Sequence, residues 1–194
     1  MKPAIKRACL LGTALFSLCA SAAQAAGVLV GTWDLRGNGQ LAAVYRDGAN
    51  LQVVEGGSTR NYSFGNVVWS VFGATDTDGQ PGAEIIGRTS TGIYVISNAS
   101  SRKEYNIGAS AWALYGGTAD TDGKPGNELI VVMQGKVRVI HHASGASSDY
   151  RIGDVNYSID SVADMDGQPG AEILVRDANG KLFVINDRTG KVSS

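Results

Sequence analysis

Short apolar runs recur along the chain, and each is followed by a second run in which apolar and polar residues alternate. The first kind reads LAAVYR, AEIIGR, NELIVVM and AEILVR, and the second kind reads LQVV, IYVI, VRVI and LFVI. Turns at Thr91-Gly92, Gly135-Lys136 and Asn179-Gly180 separate the two runs. Alternating runs of four to eight residues joined by such turns predict β-hairpins, and no segment has helical periodicity. The pattern therefore predicts an all-β protein.

An acidic segment precedes each of the apolar runs. Three copies, DTDGQPGAEI (76–85), DTDGKPGNEL (120–129) and DMDGQPGAEI (164–173), start 44 residues apart and share six identical positions. A fourth copy, DLRGNGQLAA (34–43), starts 42 residues earlier and has Arg36 and Ala42 where the others have aspartate and glutamate. In chain order, residues 34–43, 76–85, 120–129 and 164–173 are named the first, second, third and fourth loops.

The spacing of these loops predicts the architecture. A repeat of about 43 residues has room for four short strands, which is the arrangement of a β-propeller blade. We predict a four-bladed β-propeller whose blades cover residues 34–76, 77–120, 121–164 and 165–194. The N-terminal segment 27–33 is expected to supply the fourth strand of the last blade, which would close the ring and protect its edge strands. Two chains that share an eight-bladed ring, or a stacked open array, are the alternatives.

The N-terminus has the pattern of a secretory signal peptide. Positive charges at Lys2, Lys6 and Arg7 precede an apolar run over 9–20, and the small residues of Ala23-Gln24-Ala25 follow. The apolar run is too short for a membrane span, so we predict a signal peptide over 1–25 and a secreted or periplasmic protein. Both cysteines, Cys9 and Cys19, lie within this segment, so the mature chain has no disulfide or cysteine metal site.

Composition and charge exclude one class of function. The chain has 194 residues, of which 43% are hydrophobic and 18% charged, as in an ordinary globular protein. Its formal net charge is −1, and no run of lysine or arginine exists beyond the first seven residues. A nucleic-acid-binding protein depends on a basic surface for most of its affinity, so we exclude that class.

The loops carry a family resemblance. Asp-x-Asp-Gly-x-x-x-x-Glu followed by an apolar strand resembles the FG-GAP or VCBS-type repeat of integrin-α-like propellers, and this resemblance covers essentially the whole chain after the signal peptide. It implies a β-propeller whose acidic loops bind calcium. Members of the family are scaffolds for adhesion, lectin-like binding and accessory modules of enzymes, so the resemblance implies a function only loosely.

Calcium prefers oxygen ligands, which a tight loop can supply from alternate positions. The predicted calcium ligands of the three acidic loops are Asp76, Asp78, Gln80, Gly82 and Glu84; Asp120, Asp122, Gly126 and Glu128; and Asp164, Asp166, Gln168, Gly170 and Glu172. Lys124 brings a positive charge to the third loop, whose site should be weaker, and Arg36 and Ala42 should leave the first loop without one. The alternative is that the aspartates bond their own backbone in Asx-turns and hold no ion.

Aromatic residues recur in register with the loops. The repeated positions are Tyr62, Tyr105 and Tyr150, and Trp69, Trp112 and Tyr157. Packing between neighbouring sheets is the favoured interpretation, because periodic aromatic residues usually interlock blades. The alternative is a ring of aromatic platforms on which sugars stack.

No catalytic residues are predicted. His141 and His142 are the only histidines, and adjacent strand residues point to opposite faces, so they cannot share one metal or form a catalytic pair. The sequence therefore predicts a secreted calcium-binding β-propeller that binds an extracellular glycan or protein and forms monomers or homodimers. The alternatives are a purely structural calcium-stabilised scaffold, or a small polysaccharide hydrolase or lyase that uses loop carboxylates.

Overall fold

The computed structural model describes residues 27–97, 101–116, 118–153 and 156–194, and within them the chain consists of β-strands and loops. The strands of these ranges are β1 (Val28–Trp33), β2 (Ala42–Asp47), β3 (Asn50–Glu55), β4 (Ser58–Ser63), β5 (Trp69–Thr75), β6 (Glu84–Thr89), β7 (Gly92–Ser97), β8 (Ser101–Asn106), β9 (Trp112–Leu114), β10 (Leu129–Met133), β11 (Lys136–His141), β12 (Ala146–Arg151), β13 (Tyr157–Ala163), β14 (Glu172–Asp177), β15 (Leu182–Asn186) and β16 (Lys191–Ser193). The predicted signal peptide lies outside the described residues. Within those ranges no helix is long and apolar enough to span a bilayer.

Successive groups of four strands form four separate antiparallel sheets. The first sheet contains β1–β4, the second β5–β8, the third β9–β12 and the fourth β13–β16, and each strand is bonded to its neighbours in chain order. The register of the first two strands shifts at corresponding places in three sheets, at Leu29/Gly31, Val71/Gly73 and Ile159/Ser161. The sequence repeat is thus a repeat of strand geometry. The predictions of an all-β chain and of four four-stranded units are confirmed.

The boundaries of the predicted blades are displaced by one strand. Strand β1 pairs with β2, with Trp33 opposite Ala42, and the fourth sheet takes all of its strands from residues 157–193. The expectation that segment 27–33 pairs with the last blade is therefore wrong. The strands before and after each acidic loop pair with each other, because a short loop joins antiparallel neighbours with the least chain. Each loop thus connects the first and second strands of one sheet.

Apolar side chains pack in three layers, each between two successive sheets. Adjacent residues of a strand point to opposite faces, so Ile85 of β6 packs in the layer with the first sheet and Ile86 packs in the layer with the third. Leu129 and Ile130 of β10 divide in the same way between the second and third layers. Burying each such side chain stabilises the fold by roughly 1.5–3 kcal/mol. The sheets are therefore held together face to face.

The acidic loops also contact one another from sheet to sheet. The backbone amide of Ala83 in the second loop donates to the carbonyl of Asp34 in the first loop at 3.0 Å. The corresponding bonds, both 2.8 Å long, run from Asn127 to Asp76 and from Ala171 to Asp120. A Cβ built on Gly79 would lie 2.5 Å from Cβ of Pro125, and the φ of Gly79 is 74°. The Pro-Gly pairs of the second, third and fourth loops therefore each dock on the glycine of the loop before.

The first and fourth sheets differ from the two sheets between them in how well their outward faces are covered. Leu182 in the fourth sheet is 41% exposed, whereas Ile93 and Val137, at the same position of the second and third sheets, are fully buried. Among the described residues, no atom lies within 4 Å of a Cβ built on Gly167 of the fourth loop. In the first loop, Gly39 and Gln40 stand where the other loops have Pro-Gly. The fourth loop thus retains a docking place, and the first loop has lost the docking pair.

Candidate cation sites and a cavity

Each acidic loop uses half of its carboxylate oxygens to bond its own backbone. In the second loop, Oδ1 of Asp76 accepts from the amide of Gly79 at 2.7 Å, and Oδ1 of Asp78 accepts from the amide of Gln80 at 2.9 Å. Oε2 of Glu84 accepts from both the amide and the hydroxyl of Thr77, at 2.7 and 3.0 Å. The Asx-turns considered as the alternative to metal binding are therefore present, but they occupy only one oxygen of each carboxylate.

The other carboxylate oxygens converge. In three loops, ligand atoms from three side chains lie within 4.8 Å of one another. The three groups are Asp76, Asp78 and Glu84; Asp122, Glu128 and His141; and Asp164, Asp166 and Glu172. Two of these groups consist of predicted ligands. In the group of the third loop, His141 takes the place that was predicted for Asp120. No sequence argument placed His141 there.

The other predicted ligands lie elsewhere in the loops. Gln80 and Gln168 are exposed, and Oδ1 of Asp120 accepts from the amide of Gly123 at 2.6 Å. The predicted glycines lie against the preceding loop, since a Cβ on Gly82 would be 2.6 Å from the carbonyl oxygen of Leu35. A Cβ built on Gly126 or on Gly170 would likewise lie 2.9 Å from a backbone oxygen. These glycines therefore permit close approach between loops, and metal ligation by their carbonyls stays a prediction.

In the first, third and fourth loops, the residue at the end of the third strand of the same sheet approaches a side chain of the loop. This strand-end position is held by Glu55, Ser97, His141 and Asn186, the last residues of β3, β7, β11 and β15. Four different residue types stand at one structural position. The sequence repeat predicts the position, but nothing in the sequence alone links it to the acidic loop.

The first loop contains its own cation. Nε of Arg36 lies 2.7 Å from Oε2 of Glu55, and Nη2 of Arg60 lies 3.3 Å from the same oxygen. Ala42 removes the glutamate that the other loops have at this place. A guanidinium thus occupies the place where the other loops gather carboxylates.

The fourth loop is filled by nitrogen donors from its own sheet. Nδ2 of Asn186 donates to Oε1 of Glu172 at 2.7 Å and to Oδ2 of Asp166 at 3.2 Å. Nη2 of Arg188 lies 3.3 Å from the same Asp166 oxygen. Two of the three carboxylates of this group, those of Asp166 and Glu172, thus have nitrogen donors from outside the loop. The donor set does not fit a calcium ion.

The third loop has a lysine on its outer side and a histidine on its inner side. Nζ of Lys124, which is 76% exposed, lies 2.6 Å from Oδ2 of Asp122. Nδ1 of His141 is buried without a hydrogen-bond partner and lies 3.6 Å from Oδ2 of Asp122 and 3.7 Å from Oε1 of Glu128. The Glu128 carboxylate, with smaller contributions from Asp187 and Asp122, raises the pKa of His141 although burial opposes it.

In the second loop, no side-chain nitrogen among the described residues donates to the carboxylates of Asp76, Asp78 and Glu84. At the strand-end position the hydroxyl of Ser97 pairs with Nε2 of His142 at 3.4 Å, on the side of the third sheet. Burial raises the pKa of Glu84, and the negative charges of Asp78 and Asp76 add to that rise. Three converging carboxylates without an internal cation make this loop the one whose residues fit a hard divalent cation.

The two histidines separate as the strand geometry predicts. His141 faces the third loop, whereas Nδ1 of His142 bonds the hydroxyl of Tyr105 at 2.7 Å. Burial, with Lys103 nearby, lowers the pKa of His142, and burial raises the pKa of Tyr105 to about 12. No histidine pair forms, but each ring joins a junction between sheets.

Most of the repeated aromatic residues pack between sheets. The indoles of Trp69 and Trp112 are 2% and 9% exposed, and their Nε1 groups donate to backbone carbonyls of the preceding sheet at 3.0 Å. The hydroxyl of buried Tyr150 bonds Asp187, and Tyr62 packs on the first apolar layer. The interpretation as sugar platforms is wrong for Trp69 and Tyr150, since both rings are buried and neither lines the cavity described next.

One cavity brings two of these aromatic residues together with polar groups. It has a volume of about 540 Å³ and lies where β9, the turn after β10 and the start of β13 meet. Its lining consists of Ala111, Trp112, Ala113, Val132, Met133, Gln134, Gly135, Asn156 and Tyr157. The hydroxyl of Tyr157 bonds the backbone of Met133, and burial raises its pKa to about 12. The side chains of Gln134 and Asn156 are exposed and free to meet a ligand.

The chain is similar in fold to solved structures of low sequence identity. An Agrocybe aegerita lectin that specifically recognises non-reducing terminal N-acetylglucosamine matches 84% of this chain with a TM-score of 0.53 and 17% identity. BBS1N, in complex with ARL6DN, matches 90% with a TM-score of 0.46 and 17% identity. The V. cholerae biofilm matrix protein Bap1 matches 83% with a TM-score of 0.43 and 18% identity.

The matched regions are parts of larger proteins. They span 50% of the lectin chain, 57% of BBS1N and 27% of Bap1, so this chain covers about half the length of the lectin. No family model and no curated protein sequence matches the chain. The likeness to the lectin shows a β-propeller-like repeat fold, and the FG-GAP or VCBS resemblance stays a prediction.

Proposed function

We propose that this protein is a secreted, non-catalytic binding module that takes a glycan end group into the cavity beside Trp112 and Tyr157. The cavity is the observation that carries the proposal. Apolar walls with a few exposed polar side chains are typical of small-molecule sites, and the apolar face of a sugar packs well on aromatic and aliphatic groups. Extracellular glycans fit the predicted export of the chain.

The polar groups of the cavity suit a sugar better than a charged ligand. The side chains of Gln134 and Asn156 are neutral amides that both donate and accept hydrogen bonds, as sugar hydroxyl and acetamido groups require. No acidic or basic side chain lines the cavity in the described part of the chain. The lectin that shares the fold recognises terminal N-acetylglucosamine, and this sugar is therefore the first probe.

A glycan array with N-acetylglucosamine-terminated and other glycans tests this proposal. Gln134→Ala and Asn156→Ala should each weaken binding roughly tenfold, equivalent to about 1.4 kcal/mol for a lost hydrogen bond to the ligand. Asn61→Ala, which removes an exposed amide from β4, is the matched control and should bind normally. Binding that is absent in the wild type, or unchanged in both cavity variants, would contradict the proposal. The structural-scaffold alternative predicts no binding at all.

The same array distinguishes the enzymatic alternative. In the second, third and fourth loops, one oxygen of each loop carboxylate accepts from the backbone, and in the third and fourth loops a cation or an amide contacts the carboxylates as well. This arrangement favours structure over acid–base chemistry. If a polysaccharide bound by the wild type were cleaved, and cleavage ceased in Asp78→Asn, the non-catalytic proposal would be wrong.

Calcium binding is proposed for the second loop alone. Asp76, Asp78 and Glu84 would hold the ion through their converging oxygens, with Gln80 and the Gly82 carbonyl as further predicted ligands. When bound, the ion would neutralise three carboxylates and stiffen the loop on which Pro125 of the third loop docks. Calcium would thus support the junction between the second and third sheets, and it would take no part in ligand chemistry.

Association of two copies is proposed from the outward faces of the first and fourth sheets. Leu182 is 41% exposed on the fourth sheet, and Leu29 is 52% exposed on the first. Joining these faces would bury apolar side chains in the manner of the three existing layers. Light scattering should give the mass of a dimer for the wild type and of a monomer for Leu182→Lys. A wild type that is monomeric at micromolar concentration would contradict this proposal.

A further inference from the structure

The third loop differs from its repeats in having an imidazole where they have serine, asparagine or glutamate. His141 is the last residue of β11, and its imidazole is 12% exposed. Its Nδ1 atom is buried, has no hydrogen-bond partner among the residues that the structure describes, and faces the carboxylates of Asp122 and Glu128. A buried nitrogen without a partner is uncommon in a folded protein and points to a missing ligand.

We propose that Asp122, Glu128 and His141 bind one divalent transition-metal ion of the zinc class. The ligand atoms lie within 4.8 Å of one another, with Nδ1 of His141 at 3.6 and 3.7 Å from the two carboxylate oxygens. These separations are too long for hydrogen bonds. Two ligands about 2.1 Å from a tetrahedral ion lie about 3.4 Å apart, so small side-chain movements suffice to complete the site.

The far side of the imidazole is arranged as it is behind metal-bound histidines. Nε2 of His141 lies 3.3 Å from the hydroxyl of Ser148 and 3.6 Å from Oδ2 of Asp187. The Asp187 side chain is fully buried and is held at 2.7 Å by the hydroxyl of Thr121 and also by Tyr150. A carboxylate behind the ring keeps the proton on Nε2 and leaves the lone pair of Nδ1 toward the ion. Asp187, which comes from the fourth sheet, is therefore a positioning residue.

The donor set selects the class of metal. One imidazole nitrogen and two carboxylate oxygens suit Zn²⁺, Co²⁺ or Ni²⁺, whereas Ca²⁺ and Mg²⁺ take oxygen ligands. The second loop, with Ser97 at the strand-end position, provides oxygens alone. Two repeats of one loop would thus hold different metals, and failure of the calcium proposal would not affect the zinc site.

Lys124 acts as a competitor for this site. Its ammonium lies 2.6 Å from Oδ2 of Asp122, one of the proposed ligand atoms, at the end of an exposed side chain that is free to swing away. Glutamine stands at this position in the second and fourth loops. Lys124→Gln should therefore strengthen metal binding several-fold by removing a charge that the metal must displace.

Cobalt titration of the metal-free protein tests the proposal, because Co²⁺ bound to nitrogen and oxygen ligands absorbs visible light. The wild type should show these bands at a 1:1 ratio, and added Zn²⁺ should remove them. His141→Ser should abolish the bands, whereas His142→Ser, the matched control on the next residue, should keep them. Asp187→Asn should weaken cobalt binding roughly 10–100-fold, the usual effect of losing a partner behind a ligand.

Several results would overturn the assignment. These results are a wild type that binds no Co²⁺, bands that persist in His141→Ser, and bands that depend on His142 alone. If His141→Ser does not fold, Asp122→Asn, which preserves the size of the side chain, supplies the same test through the loss of a different ligand. Circular dichroism of each variant separates loss of the site from loss of the fold.

Discussion

The second and fourth loops have nearly the same sequence but different surroundings. Both read Asp-x-Asp-Gly-Gln-Pro-Gly-Ala-Glu-Ile, and in both the first aspartate accepts from the glycine amide at 2.6–2.7 Å. In the fourth loop the Asn186 amide and the Arg188 guanidinium contact the carboxylates, whereas Ser97, at the same strand-end position of the second sheet, pairs with His142. The loop motif thus provides the carboxylates, and residues outside the loop determine whether those carboxylates are already neutralised by a donor of the protein or are left to bind an external cation.

The same two loops differ in what docks on them, and this difference should produce the largest effect. Gly79→Ala places a Cβ 2.5 Å from Pro125 at a φ of 74°, whereas Gly167→Ala meets nothing within 4 Å among the described residues at a φ of 72°. Left-handed backbone alone costs roughly 1–2 kcal/mol for alanine, and the clash adds to it. Urea unfolding should show a loss of about 3 kcal/mol for Gly79→Ala and about 1 kcal/mol for Gly167→Ala. Equal losses would mean that the docked proline does not restrict the loop.

Calcium should stabilise the protein through the second loop alone. An ion at 100 times its dissociation constant adds about 2.7 kcal/mol, which for a chain of this size raises Tm by roughly 5–10 °C. Asp78→Asn should remove the rise between melts with chelator and with calcium. Asp166→Asn, the same change in the fourth loop, should leave the rise intact and is the matched control. A rise that depends on Asp166 would reverse the assignment of the two loops.

Exchanging the strand-end residues should sharpen the comparison. Ser97→Asn brings the amide of the fourth loop to the second and should weaken calcium binding at least tenfold, about 1.4 kcal/mol, because an internal donor competes for Glu84 and Asp78. Asn186→Ser combined with Arg188→Ala should give the fourth loop a calcium response that the wild type does not have there. Calorimetry in the background of Asp78→Asn measures the new site alone. If neither exchange changes calcium binding, the strand-end position does not control it.

The smallest effect concerns pH. The folded-state pKa of Glu84 is raised, so its charge opposes folding; this cost is absent below the unfolded pKa, grows between the unfolded and folded pKa values and is complete above the folded pKa. Without calcium, protonation of Glu84 should therefore raise Tm as the pH falls from 7 toward 4.5. Glu84→Gln should flatten that part of the profile and keep an acceptor for Thr77. An unchanged slope in Glu84→Gln would place the titrating group elsewhere.

The repeat and the strands were predictable, because both depend on local patterns. The spacing of 44 residues marks the loops, and alternation marks the strands on either side of them. Which strands pair was not visible in those patterns, since β1 is apolar enough to join either the first or the last sheet. Its pairing with β2 follows from the short loop between Trp33 and Ala42.

The composition of the candidate sites was only half predictable. The carboxylates Asp76, Asp78 and Glu84 are found from the motif, because they lie within one short loop. The strand-end residues lie further along the chain, and they differ in type from repeat to repeat, so no repeated signal links them to the loops. Asp187 is harder still, because it comes from a neighbouring sheet to stand behind His141.

The Pro-Gly docking described above gives the row of sheets a direction. The Pro-Gly pairs of the second, third and fourth loops each pack on the glycine of the loop before, so the two ends of the row are chemically unlike. Among the described residues nothing packs on Gly167 of the fourth loop, whereas the first loop has Gly39 and Gln40 in place of the Pro-Gly pair. A duplicated repeat that is added after the fourth sheet can therefore pack its Pro-Gly pair on Gly167. The protein should be easier to lengthen at this end than at the other.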